Sequence, residues 1–139
     1  MRALLFNSKD YEVEFDSYAN RPKGIIPEEV AGKEKQECHE CIVAFITVER
    51  DDEKDIVVEG IVKEIEKMCD EVVREKVVIV PFAHLSNNLE KWDKSLEILE
   101  DIELELKKSK QVMRTHFGSN KSLLLKIHGH AGNARYREF

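Results

Sequence analysis

Cysteine is scarce in this chain. Three cysteines among 139 residues are too few for the disulfide framework of a small secreted domain. No apolar run approaches the roughly 20 residues of a membrane-spanning helix. The opening MRALLF turns polar too soon for a secretory signal, so the expected setting is the cytoplasm, without membrane contact. Nucleophilic and phosphate-binding signatures are missing as well: there is no G-x-S-x-G, no P-loop, no G-x-G-x-x-G and no H-E-x-x-H. Internal repeats and low-complexity tracts are also absent.

What is present is an ordinary core and a heavily charged surface. Hydrophobic residues make up 42% and charged residues 36% of the sequence, which suits one globular domain over residues 1–139. The net charge of −6 is unevenly spread. From Lys107 onward there are eight Lys and Arg against one acid, Glu138. This split predicts a basic face for an anionic partner and an acidic, solvated face elsewhere.

Cys38 and Cys41 form a lone C-x-x-C, and His128 with His130 has the makings of a completed zinc site. Strand alternation puts His128 and His130 on one face but Cys38 and Cys41 on opposite faces, unless the chain bends. No metal site is expected from this set.

In chain order, residues 2–6 read as a strand, Asn7–Asp10 as a polar turn, and residues 11–15 as the second arm of a hairpin with one wet face. Residues 16–36 form a long connection in which PEEVAG has room for one helical turn behind Pro27. Residues 41–48, CIVAFITV, are a central strand. Val58, Ile61, Val62, Ile65, Met68, Cys69 and Val72 recur at helical spacing, which makes Cys69 a packed thiol. Val77–Val80 is a buried β-branched strand stopped by Pro81. A second helix spans residues 89–110, with Leu96, Leu99, Ile102 and Leu106 on one face. Residues 112–117 and 123–128 are two strands joined by Gly118-Ser119-Asn120-Lys121. The order β-β-β-α-β-α-β-β describes an α+β domain, a mixed β-sheet with two covering helices. Two helices cannot easily cover both faces, so a second subunit is expected to complete the burial.

The polar candidates for chemistry are His84, Ser86, His116, Lys121, His128 and His130. His84 and Ser86 follow the end of a buried strand, where α/β folds place ligands. Lys121 follows a glycine-containing turn and suits a phosphate, a ribose or a developing negative charge.

The runs VAFITVE (43–49), VPFAHLS (80–86), FG-x-x-K (117–121) and the KI…GH segment (126–130) match a known pattern with family spacing. Together with Leu4, Leu5, Ser8 and Tyr11 at the start, they resemble the N-terminal editing domain of archaeal threonyl-tRNA synthetases. The resemblance implies a fold like that of D-aminoacyl-tRNA deacylases, a homodimer, and hydrolysis of L-seryl-tRNA(Thr). It implies catalysis assisted by the 2'-hydroxyl of the terminal adenosine, with no cofactor and no metal. It assigns Lys121 and His84 to catalysis, and Val48, Pro81, Phe82, Ala83, Ser95, Phe117, Gly118, Asn120 and His130 to substrate binding. Implied partners are the serine-bearing 3' end of tRNA(Thr) and an aminoacylation domain, in the same chain or a separate one.

Elementary chemistry agrees with this. An aminoacyl ester is already activated, so orientation and oxyanion stabilisation can suffice without a side-chain nucleophile. Serine and threonine differ by one methyl group, which a synthetic site can exploit by only about 1 to 3 kcal/mol. A second sieve is the remedy. The chain departs from the family pattern at Ser119 and Asn120, where an aromatic usually precedes the lysine. It departs again at Ala131-Gly132-Asn133-Ala134, where Pro-Leu-x-Glu usually follows Gly-His, and at Asn7-Ser8-Lys9, where His-Ser-Asp is usual. Loss of the glutamate leaves its role to Asn133 or Asn120, or leaves a non-catalytic tRNA-binding or dimerisation module. A D-aminoacyl-tRNA deacylase is the third reading, although that family's S-Q-F-T and N-x-G-P-V-T segments are absent.

Overall fold

A computed structural model describes residues 1–139. Its elements are β1 (Arg2–Tyr18), β2 (Lys35–Thr47), α1 (Lys54–Val72), β3 (Lys76–Pro81), α2 (Trp92–Leu106), β4 (Gln111–Arg114), β5 (Ser119–Ile127) and β6 (Ala134–Glu138), with a 3₁₀ turn at Ala131–Asn133. The strands lie in the order β4-β3-β2-β1-β5, and β6 also pairs with β1. β2, β3 and β4 run parallel, while β1 is antiparallel to β2, β5 and β6. This is the expected α+β class, a mixed sheet with two helices.

The order of elements is β-β-α-β-α-β-β-β, which corrects the expected one at both ends. No hairpin turn forms at Asn7–Asp10, because β1 is one strand of 17 residues. The polar groups that suggested a turn are satisfied by distant partners. Asn7 Nδ2 donates to Asn133 Oδ1 at 3.1 Å, and Asn7 Oδ1 accepts from Arg74 Nε at 2.9 Å. At the other end, ARYRE forms β6 against residues 2–6. Its alternation carries one large apolar residue, Tyr136, and so gives little hydrophobic signal. PEEVAG stays irregular, and β4 and β5 are not a hairpin but sit at opposite ends of the sheet order.

β1 and β2 change face together. Before the change, Ala3 and Leu5 pack with Ile42, Ala44 and Ile46 under the helices. After it, Tyr11 and Val13 join Cys41, Val43 and Phe45 on the other face. Asn7 and Ser8 are consecutively buried, and Glu40 adopts a positive φ of 49°. This bend defeats simple alternation: Cys38 packs on the same face as Cys41. The two histidines stay with other partners. His128 Nε2 pairs with Glu40 at 2.9 Å, and His130 Nδ1 accepts from the N–H of Gly132 at 3.0 Å.

Both helices cover one face. Ile61, Ile65 and Met68 of α1 and Ile98, Ile102 and Leu106 of α2 are fully buried there. The opposite face is closed by the sheet itself. The second half of β1 curls over until Tyr11 meets the residue after β4, its hydroxyl 2.6 Å from Thr115 Oγ1. Burial pushes the Tyr11 phenol up to about 12, against the pull of that hydrogen bond. Burial of this face therefore needs no second subunit.

Candidate active site

Pro81 ends β3 by removing a ladder donor, and the chain turns there. The turn is tied to β2: Phe82 N–H donates to Ile46 O at 3.0 Å, and the Thr47 hydroxyl donates to Phe82 O. From β4 the chain crosses back toward β1 and β5, and Glu28 staples that crossing. Glu28 N–H donates to Phe117 O at 2.9 Å, and its carboxylate accepts from Phe117 N–H at 2.7 Å and from Arg114. That is the occupation of PEEVAG in place of a helical turn. Gly118 has φ 78°, and a Cβ there would meet Pro27 Cα at 2.8 Å, so only glycine fits.

These segments enclose a cavity of about 880 Å³ at the C-terminal ends of β2 and β3. Its walls bring together Val48, Pro81, Phe82, Ala83, Ser95, Phe117, Gly118 and Lys121, residues from five separate stretches of chain. Three others are left out. His84 is exposed and stands edge-on to Phe82, ring centroids 5.0 Å apart. Asn120 turns away to donate to Ser17 Oγ at 3.1 Å. His130 follows the far end of β5, because that strand starts beside Tyr18 and finishes beside Ser8. At about 3.3 Å per residue this puts it roughly 20 Å beyond Lys121. Ser86 is also structural, donating to Glu49 Oε2 at 2.6 Å. Asn133 is committed to Asn7 and to His128 O, so it does not stand in for the missing acid.

The cavity has contributors that sequence reasoning did not assign. Trp92, the only tryptophan, lines it from the first turn of α2. Its aromatic bulk beside the PFAHLS turn was the available signal. Arg21, Lys23, Arg50 and Lys91 also line it. With Lys121 they make five cations without a carboxylate partner: Arg50 donates to Leu89 O, and Lys121 Nζ donates to Ser119 O at 2.9 Å.

The expected basic face is therefore displaced. Lys107, Lys108, Lys110, Arg114, Arg135 and Arg137 in the C-terminal third are all paired with acids. In that third only Lys121 and Lys126 lack an acid partner, and Lys121 is one of the five unpaired cations that line the cavity beside Glu90 and Asp93. Burial holds the Lys121 ammonium below the usual lysine range, with Glu28 pulling the other way. Beside it, burial and the Lys121 charge hold His116 below its ordinary value. The arrangement can seat a polyanionic, partly aromatic ligand and can stabilise a developing oxyanion with Lys121.

The family model described as the archaea-specific editing domain of threonyl-tRNA synthetase matches residues 1–139. Among similar proteins is the threonine–tRNA ligase of Thermococcus kodakarensis, 40% identical over 135 residues, which are 94% of this chain and 21% of that protein. The threonine–tRNA ligase of Methanococcus maripaludis strain S2 is 38% identical over 132 residues, covering 94% of this chain and 20% of its own length. That of Methanosphaera stadtmanae is 36% identical over 134 residues, covering 94% and 21%. The chain spans about a fifth of the length of these curated relatives. It belongs to the archaea-specific editing domain family of threonyl-tRNA synthetase, and by that membership is an aminoacyl-tRNA deacylase.

Proposed function

We propose that this domain hydrolyses L-seryl-tRNA(Thr), removing serine that a threonine-charging site has attached in error. The observation that carries this reading is the cavity lined by Val48, Phe82, Ala83, Phe117 and Gly118, with five cations that lack a carboxylate partner against two acids, Glu90 and Asp93, in its wall. Its size suits a terminal adenosine together with a small aminoacyl group. The cations suit the phosphates of the 3' strand, and Phe82, Trp92 and Phe117 offer rings for base stacking.

In the reaction, water attacks the ester carbonyl with assistance from the ribose 2'-hydroxyl, and the Lys121 ammonium stabilises the oxyanion. His84, Asn120 and His130 belong to the proposed substrate-contacting set only through a change of conformation or a second chain. No cofactor or metal takes part. The partners of this reading are tRNA(Thr), a second copy of the domain, and an aminoacylation domain in the same or a separate chain, all in the cytoplasm.

The test is single-turnover deacylation of L-seryl-, L-threonyl- and D-aminoacyl-tRNA, with Lys121→Ala and a tRNA ending in 2'-deoxyadenosine. Serine alone is expected to be lost quickly. The lysine variant is expected to be slower by about 100-fold or more, and the 2'-deoxy substrate resistant. Rapid loss of a D-amino acid would move the assignment to a D-aminoacyl-tRNA deacylase. Tight tRNA binding with no hydrolysis would leave a binding module, a reading favoured by the commitment of Asn120 and Asn133 to other partners.

A further inference from the structure

Trp92 is the first residue of α2, and the segment before it is pinned to the end of β2. Leu89 bridges to Glu49, Glu90 N–H donates to Val48 O at 3.1 Å, and Arg50 Nε donates to Leu89 O at 3.0 Å. On the other side, Ser95 N–H donates to Lys91 O at 2.9 Å and closes the first helical turn. The indole is therefore carried on a fixed backbone, and it stands half-buried in the cavity wall.

A ring of this size is normally spent on packing. Trp92 belongs to neither core cluster and is not among the side chains packed against them. It also meets none of the other aromatic rings. The other two rings of the wall are committed. Phe82 is held edge-on by Phe45 and His84, with centroids 5.2 and 5.0 Å away, and Phe117 packs against the core under the helices. Trp92 is the ring of this wall that the fold does not use.

The charges around it say what the ring receives. Arg21, Lys23, Arg50 and Lys91 line the same cavity, and all four are exposed and without a carboxylate partner. Of the two acids in the wall, Glu90 is paired with Lys94 at 3.1 Å, which leaves Asp93 as the one acid without a cation. A free ring among free cations binds single-stranded nucleic acid, with a base on the ring and phosphates on the cations. Lys121, which stabilises the oxyanion in the reaction above, is instead half-buried and held by Ser119 O. An ester at Lys121 puts the terminal adenosine inside and the preceding phosphate at the exposed rim. Trp92, between exposed Lys91 and Asp93, belongs to that rim. At about 880 Å³ the cavity lies near the upper end of the roughly 300 to 1,000 Å³ of small-ligand pockets, which leaves room beside the terminal nucleotide.

We propose that Trp92 is a positioning residue for the tRNA, its indole stacking on the base of the nucleotide before the terminal adenosine, a cytosine in every tRNA. This rests on the reading that the 3' end enters this cavity with its ester at Lys121. The phosphates on either side of that base then meet the exposed cations. Stacking of this kind touches no part of the amino acid, so it strengthens the hold on seryl- and threonyl-tRNA equally and leaves their discrimination to the inner wall.

The test is titration of the full chain with an uncharged acceptor-stem RNA ending in CCA, read by the fluorescence of Trp92, which no other tryptophan masks. The intact RNA is expected to quench it, and an RNA abasic at the penultimate position to quench it little. Anisotropy of a labelled RNA then gives the affinity of wild type, Trp92→Phe and Trp92→Leu. Leucine is expected to weaken binding about 10-fold or more, and phenylalanine to keep most of it, because stacking needs a ring face. On the abasic RNA, wild type and Trp92→Leu should bind alike, a coupling that a merely structural loss would not produce. Equal weakening on both RNAs, no quenching by the intact RNA, or coupling to the terminal base instead overturns the proposal. Should the variants not fold, the wild-type comparison of intact and abasic RNA decides alone. Because this RNA carries no amino acid, the two readings fail separately. Coupled binding with no deacylation of any substrate overturns the deacylase reading alone, and rapid loss of serine without the coupling overturns this one alone.

Discussion

Gly118 stands where two chain segments touch, with its φ of 78° and Pro27 Cα at 2.8 Å from any added Cβ. Gly118→Ala is expected to cost about 2 to 3 kcal/mol, from left-handed strain together with overpacking. It should also slow deacylation, because Phe117 and Ser119 would shift with it. Urea unfolding and the single-turnover assay check both, and a neutral substitution would mean that the Pro27 loop yields freely. This residue was legible in the sequence, as were the PFAHLS turn and Lys121, because each belongs to a contiguous motif with its own turn chemistry. His130 was misplaced because proximity in sequence to Gly118–Lys121 says nothing about which way β5 runs. His84 lay next to the right turn but faces solvent beside Phe82. His116 carried no such local signal; its position depends on Gln36, Glu28 and Ser119 meeting from three stretches of chain.

At the scale of elements, β5 is the least finished. It ends the sheet order with one side unpaired, and Leu123 and Leu124 are each 50% exposed on it. An open apolar edge invites pairing with another strand, and two-fold symmetry lets β5 of one copy pair with β5 of a second. We place the proposed homodimer along this edge, and light scattering is expected to give twice 16.1 kDa. Leu124→Lys should shift the mass to that of one chain, whereas a single-chain mass for the wild type sinks the dimer. The helices were legible from 3.6-residue periodicity, although α2 is shorter than the expected 89–110 and fully buries Ile98, which was not read, while Leu96 is only half-buried. The strands were harder. A polar patch at Asn7–Lys9 reads as a turn only until distant partners satisfy it, and the bend at Glu40 moves Cys38 to the face that alternation denies it.

Taken whole, the molecule pairs its most buried arginine with two acids. Glu28 and Glu103 converge on Arg114, which is 12% exposed. Burial raises both carboxyl pKa values, but the hydrogen bonds outweigh it, from Arg114 at Glu28 and from Lys107 and Arg114 at Glu103. Both groups end below the usual carboxylate range. A depressed carboxyl contributes stability that is full above the unfolded pKa of about 4.3 and is lost as pH falls through the folded value. Glu28→Gln is expected to cost about 2 kcal/mol at pH 7, and the difference from wild type should shrink below about pH 4. Urea titrations at the two pH values measure it, and a gap that stays constant would show that Glu28 acts through shape rather than charge.

The crossing segment from Thr115 to Gly118 joins the last parallel strand to the curled half of β1, and it is also a wall of the cavity. The seam that closes the fold and the surface that receives a ligand are thus the same few residues. Ligand binding and folding are thermodynamically linked at that seam. A bound aminoacyl-adenosine at 100 times its dissociation constant adds about 2.7 kcal/mol to the stability of the entire domain. A chain whose seam has opened has no partly working site to fall back on.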